Sequence, residues 1–193
     1  MIKPRLYLDI DGVVNIFPAK HGNPNKKPHL RAWKNWKTFT VKAFHDGKER
    51  EFIITWSPDL MAELIALTEI YDIYWLTNWR HTALTQFAPQ TGLPEFPVCD
   101  ELGIEDGSYL SAVSLTGHPH KRWWKINAIV KDMEENPDLK WVWIDDSIRP
   151  AIRTYFKSLA RLIGFSHMLI TPFDAIGITP EHIQKLRDFA LAA

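Results

Sequence analysis

Short apolar runs alternate along the chain with stripes of helical spacing. Residues 5–10 (RLYLDI) form one such run, closed by the turn signal Asp11-Gly12, and predict a buried central strand. Residues 71–77 (YDIYWLT) and 140–144 (KWVWI) are apolar on both faces, as strands inside a parallel sheet are, and residues 167–170 (HMLI) add a last strand. Between them, residues 59–70 place Leu60, Met61, Leu64, Ile65 and Leu67 on one helical face, with Ser57 as the expected N-cap and Pro58 at the first helical position. A second helix is expected from about Arg80 to Gln90, stopped by Gly92 and Pro94. A third runs from His118 to about Glu134 and ends at Asn136-Pro137; others follow Pro150 and Thr179-Pro180-Glu181. Strands and helices in alternation predict an α/β fold with a parallel central sheet.

The segment after the first strand breaks this rhythm. Residues 15–37 are rich in Pro, Asn and Lys, and residues 38–44 and 51–56 predict two strands around His45-Asp-Gly-Lys48, a hairpin signal. Residues 13–56 are therefore expected to be a small β flap or cap inserted into a single domain spanning 1–193. Composition supports an ordinary soluble core, with 46% hydrophobic and 24% charged residues, and no apolar run is long enough to cross a bilayer. Lys plus Arg and Asp plus Glu both number 23, so no global field attracts a polyanion. The charge is uneven, however. Between Gly12 and His45 stand seven positive side chains, Lys20, Lys26, Lys27, Arg31, Lys34, Lys37 and Lys42, with no Asp or Glu. One cysteine, Cys99, excludes an internal disulfide, and the lack of a secretory leader pattern makes the cytoplasm the expected location.

Three predicted strands end in chemistry: Asp9 and Asp11, Thr77, and Asp145 with Asp146. In a parallel sheet the loops beyond the strands' carboxyl ends hold the ligand, so the two acidic pairs would meet there if the strands that carry them are neighbours. Their meeting would make a cation site.

Residues 6–13 (LYLDIDGV) resemble the first motif of the haloacid dehalogenase (HAD) superfamily, a hydrophobic strand followed by DxDG(T/V). Residues 75–77 (WLT) look like the second motif, Lys121 like the third and residues 143–146 (WIDD) like the acidic fourth, in the order the superfamily requires. Lys125 stands one turn after Lys121 and is the alternative third-motif lysine. The WSPDL helix start, the WLTNW second motif and the GITPEH ending are also similar to the HAD domains of RNA-repair proteins.

The resemblance implies a Rossmann-like core and a phosphohydrolase working through an aspartyl-phosphate. Asp9 would be the nucleophile, and Asp11 would protonate the leaving group and then activate water. Thr77 would hydrogen-bond the phosphoryl oxygens and Lys121 would neutralise their charge. Mg²⁺ would be bound by Asp9, the Asp11 backbone carbonyl, Asp145 and Asp146. Asp at position 11 fits phosphatases and phosphomutases rather than dehalogenases. Asn78 and Arg80 are secondary substrate-binding candidates. Trp33, Lys34 and Trp36, in the basic insertion, would stack on and pair with a nucleotide or a nucleic-acid end; the alternative is that the lysines are solvated and the tryptophans anchor the loop. Two alternatives stay open: a phosphatase of small metabolites, and a non-catalytic nucleic-acid-binding protein on the same fold.

Overall fold

In the computed structural model, which describes residues 2–18, 32–45, 48–99 and 124–192, four of the apolar runs pair into one parallel sheet. The elements follow as β1 (Arg5–Leu8), β2 (Lys37–His45), β3 (Lys48–Trp56), α1 (Pro58–Leu67) and β4 (Asp72–Trp75). After them come a π-helical turn (Ala83–Phe87) running into α2 (Ala88–Thr91), then α3 (Trp124–Glu135), β5 (Trp141–Ile144), α4 (Pro150–Ile163), β6 (His167–Ile170) and α5 (Pro180–Leu191). The sheet order is β4-β1-β5-β6, and β2 and β3 form a separate antiparallel hairpin. The chain leaves β1 for β4 on one side and later adds β5 on the other. That reversal opens a crevice beyond the carboxyl end of β1.

Alternation along each strand sorts side chains onto two faces. Leu6 and Leu8 of β1, with Ile73, Trp75, Val142 and Ile144 beside them, pack against α1, α5 and the hairpin residues Val41, Ile54 and Trp56. Tyr7, Trp141 and Trp143 face the other way, onto α3 and onto Phe156 of α4. Helix α3 is tied to β1 by a polar cluster as well. Asp132 accepts hydrogen bonds from Arg5 and from the Tyr7 hydroxyl, and Asn136 Nδ2 donates to Asp132 Oδ1 at 3.1 Å. No helix among the described residues is long and apolar enough to cross a membrane.

Three local expectations are corrected. The segment expected to be one helix from Arg80 to Gln90 starts as a π turn, because in a continuous α-helix the Pro89 ring would collide with the carbonyl four residues earlier. Ser57 precedes α1 in extended conformation but does not cap it. Its hydroxyl donates instead to the Lys34 carbonyl at 2.7 Å. Trp33, expected to face substrate, is only 9% exposed and packs in the core, with Nε1 donating to the Ile178 carbonyl at 2.6 Å. An indole placed as a dry anchor has no face left for a base. Trp36 is half-buried against the same core, and its Nε1 donates to the Trp33 carbonyl at 3.0 Å. The two tryptophans fasten the insertion to the domain.

Trp33→Ala is expected to lower unfolding stability by about 3–5 kcal/mol, as deletion of a buried large aromatic does; a denaturant midpoint within error of the parent would contradict the anchor. Two histidines make stability depend on pH. Burial holds His167, set between Trp141 and Phe165, below the ordinary imidazole range. Burial and then Lys185 lower His182, whose Nδ1 accepts from the Thr179 amide at 3.1 Å. Each contribution is complete above the unfolded imidazole pKa of about 6.5 and is lost as pH falls through the lowered folded value, because only the unfolded chain then takes up the proton. Urea unfolding between pH 7.5 and 5 should show a shallower decline in His167→Phe, and in His182→Gln, which retains a capping side chain, than in the parent.

Candidate active site

The backbone ladder runs past the strand ends and lines up the acidic residues. The Asp9 amide donates to the Ile144 carbonyl at 3.1 Å, the Asp145 amide to Ile170 at 3.2 Å and the Leu76 amide to Leu8 at 2.9 Å. Asp9 and Asp145 thus emerge side by side from the paired strands β1 and β5. Directly after Asp9 the chain folds into a tight loop in which the Val14 and Asn15 amides both reach the Ile10 carbonyl at 2.9 Å. Gly12 has φ +71°, and a Cβ there would stand 2.6 Å from Asp146 Oδ2. Glycine at this position both permits the turn and lets the Asp146 carboxylate close in.

One oxygen from each of Asp9, Asp145 and Asp146 lies within 4.8 Å of the others. Into this group projects Lys125 of α3, its Nζ 2.7 Å from Asp9 Oδ2 and 2.6 Å from Asp145 Oδ2. All three of these residues are buried, Lys125 to 4% exposure and Asp145 to 2%. The second oxygens are engaged by the loops: Asp9 Oδ1 accepts from the Ile10 amide at 2.8 Å and Asp145 Oδ1 from the Ser147 amide at 2.7 Å. Asp146 Oδ1 accepts from the Ser147 hydroxyl at 2.8 Å.

Burial pushes the Asp9 carboxyl up to about 7, with Lys125 opposing and the Asp145 charge reinforcing. Burial alone would lower Lys125, but Asp9 and Asp145 outweigh it and hold the ammonium above its usual range. Asp146 is raised, first by burial, with Ser147 opposing and the Asp145 and Asp174 charges adding to it. Three carboxylates against one ammonium leave two formal negative charges at close range, the charge a divalent cation would neutralise. The donor set, all carboxylate oxygen, fits a small hard cation such as Mg²⁺.

The remaining expected residues are distributed around this centre. Asp11 lines the same cleft, its two oxygens accepting from Asn15 Nδ2 at 2.7 Å and Trp79 Nε1 at 2.9 Å. Thr77 is fully buried beyond β4, where its hydroxyl oxygen accepts from the Trp79 amide at 3.3 Å. Asn78 lines the cleft and its Oδ1 accepts from Trp124 Nε1 at 3.2 Å. The Arg80 guanidinium lies 3.5 Å over the Trp124 ring. Trp124 therefore stitches the loop after β4 to the start of α3, next to Lys125. Lys34 is exposed, with its amide 3.3 Å from Asp59 Oδ2. Trp33 and Trp36 stay with the core. Lys121 and the basic residues Lys20, Lys26, Lys27 and Arg31 lie outside the described residues. Burial pushes the Cys99 thiol up to about 12, away from the thiolate form.

In the sequence Lys125 stood only as the alternative to Lys121. Asn15, Trp79 and Ser147 were not among the site residues expected from it. Asn15 and Ser147 could have been found by their distance from the aspartates, four residues and one or two. Trp79 closes the WLTNW segment, but nothing local points it at Asp11, which stands 68 residues away.

No curated protein and no solved structure matches the chain. A family model does, over residues 5–183, the span that carries the parallel sheet, the hairpin, the acidic cluster and Lys125. The chain belongs to the family of HAD domains found in Swiss Army Knife RNA repair proteins.

Proposed function

We propose that the protein is a Mg²⁺-dependent phosphohydrolase that removes a terminal phosphate from a nucleotide or nucleic-acid end through an aspartyl-phosphate on Asp9. The observation that carries this reading is the pairing of Asp9 with Asp145 at the ends of adjacent strands, with Lys125 hydrogen-bonded to both. In the first step an Asp9 carboxylate oxygen attacks phosphorus in line, the bond to the leaving oxygen breaks, and Asp11 gives that oxygen its proton. In the second step Asp11 takes a proton from water, the new hydroxide attacks the same phosphorus, and inorganic phosphate departs with Asp9 restored. Lys125 faces the charge that builds on the phosphoryl oxygens, and Thr77 offers them its hydroxyl proton. Mg²⁺ held by Asp9, Asp145 and Asp146 would supply further neutralisation of those oxygens.

The third-motif role thereby passes from Lys121 to Lys125. The substrate class rests on the family and on the seven cations between Gly12 and His45, which would attract a polyanion. One observation favours a small-metabolite phosphatase instead: Trp33 is buried, which removes one of the two aromatics proposed to stack on a base.

With an aryl phosphate and Mg²⁺, the parent is expected to turn over and to lose activity on EDTA treatment, with recovery on adding Mg²⁺. Asp9→Asn should abolish turnover; a variant as active as the parent would remove the nucleophile from the proposal. Lys125→Met should lower kcat/KM by 100-fold or more, in the range seen when a group facing developing charge is removed, and Lys121→Met by less than about tenfold. Similar losses in both would restore Lys121 as a candidate. Among a 3′-phosphorylated oligonucleotide, a mononucleotide and a sugar phosphate, kcat/KM should be about tenfold or more higher for the nucleic-acid end than for the sugar, with the advantage shrinking as salt rises. A flat preference, or one for the sugar, would favour the metabolite reading.

A further inference from the structure

Both oxygens of the Asp11 carboxylate are held by donors that rest on β3 of the hairpin. Oδ1 accepts from Asn15 Nδ2 at 2.7 Å, and Asn15, nearly fully buried, accepts in turn from the Thr55 amide at 2.9 Å through its own Oδ1. Oδ2 accepts from Trp79 Nε1 at 2.9 Å. The Trp79 ring packs edge-on against Phe52, with centroids 5.4 Å apart and planes at 64°. Two separate arms thus run from β3 to one carboxylate, one polar through Thr55 and Asn15, the other aromatic through Phe52 and Trp79.

A general acid works only within hydrogen-bond reach and along the line of the oxygen it protonates. An aspartate side chain has two torsions, and a donor on each oxygen, from different elements, fixes both. We propose that Trp79 and Asn15 are positioning residues that aim Asp11 at the leaving oxygen, and that the β2–β3 hairpin sets the aim. The inference rests on the phosphoryl-transfer reading above. It assigns the hairpin a role distinct from covering the site: moving β3 moves the carboxylate.

Trp79→Phe keeps the ring against Phe52 and deletes the single N–H, so it tests the aim with little change in packing. The readout is kcat/KM for a series of phosphate monoesters whose leaving groups range from 4-nitrophenol to phenol and an alkyl alcohol. Because kcat/KM reports the first irreversible step, it isolates the departure that Asp11 assists. The variant is expected to lose about tenfold for the alkyl and phenyl esters, a fraction of the 10²–10⁴ a general acid supplies, and no more than about twofold for the nitrophenyl ester, which leaves without a proton. KM should stay within about twofold. Adding Trp79→Phe to Asp11→Asn should cost nothing further, since the two changes act through one group. Phe52→Leu, which removes the hairpin's aromatic contact, should reproduce the same leaving-group dependence with a smaller loss. Equal losses for every leaving group, no loss for any, or additivity with Asp11→Asn would overturn the proposal and leave Trp79 a packing residue. Asp9→Asn separates this failure from that of the wider reading: if it turns over the nitrophenyl ester, the phosphoryl-transfer reading fails whatever Trp79→Phe does.

Discussion

The Lys125 ammonium, buried between the carboxylates of Asp9 and Asp145, is the contact on which the rest of the site depends. Taking three charged groups out of water costs several kcal/mol each, and only close, well-directed hydrogen bonds offset it. Removal of one partner from such a group leaves an unpaired buried charge and costs about 3–5 kcal/mol. Helix α3 cannot drift away from β1 and β5 without exposing that cost. The same contact restrains two carboxylates that would otherwise repel each other, and so keeps them side by side. Stability and readiness for chemistry are here one interaction.

The far end of the same helix explains why Lys125 is the lysine that arrives. Asp132 is fastened to Arg5 and Tyr7 at the start of β1, while Asp9 stands just past its end. A residue seven positions before Asp132 lies roughly 10 Å along an α-helix, at about 1.5 Å per residue. The strand covers roughly 7–13 Å between its Asp132 contacts and Asp9, at about 3.3 Å per residue. The two lengths agree. Helix and strand run antiparallel, clamped at one end by a carboxylate on the helix and at the other by an ammonium.

This length match also marks where sequence reading stops. At a spacing of four, Lys121 and Lys125 would fall on one face of the helix predicted from the sequence, so periodicity could not choose between them; what sets Lys125 beside Asp9 includes Asp132 meeting Arg5 and Tyr7, a contact across more than 120 residues. Trp33 failed for a similar reason, because the carbonyl it donates to, that of Ile178, is 145 residues away. Ser57 carried a sound local cap signal, and a tertiary acceptor, the Lys34 carbonyl, took its hydroxyl. By contrast the strands, the hairpin and the convergence of Asp9 with Asp145 were legible. Each follows from apolar alternation, from turn residues, and from the rule that strand ends in a parallel sheet share one edge.

The hairpin is packed into the domain. Phe39 and Phe52 lie against Phe87 and Trp79, so the strands rest on the domain and join its core. Base stacking by Trp33 is lost with that arrangement, yet the charge asymmetry of the chain remains. With zero net charge overall and seven uncompensated cations between Gly12 and His45, the remainder carries seven excess negative charges, several of them in the acidic cluster. A phosphate ester approaching this cluster of three carboxylates, two of them buried, meets repulsion that Lys125 alone does not cancel. On the proposed reading, a cation held in the cluster would remove that repulsion at short range, and the positive charge of the insertion would oppose it during approach, with a reach set by the Debye length of about 8 Å at physiological salt. A substrate with a single phosphate needs only the first. One that trails further phosphates gains from the second, and this is the physical reason the basic insertion points to a nucleic-acid end even without an indole to receive the base.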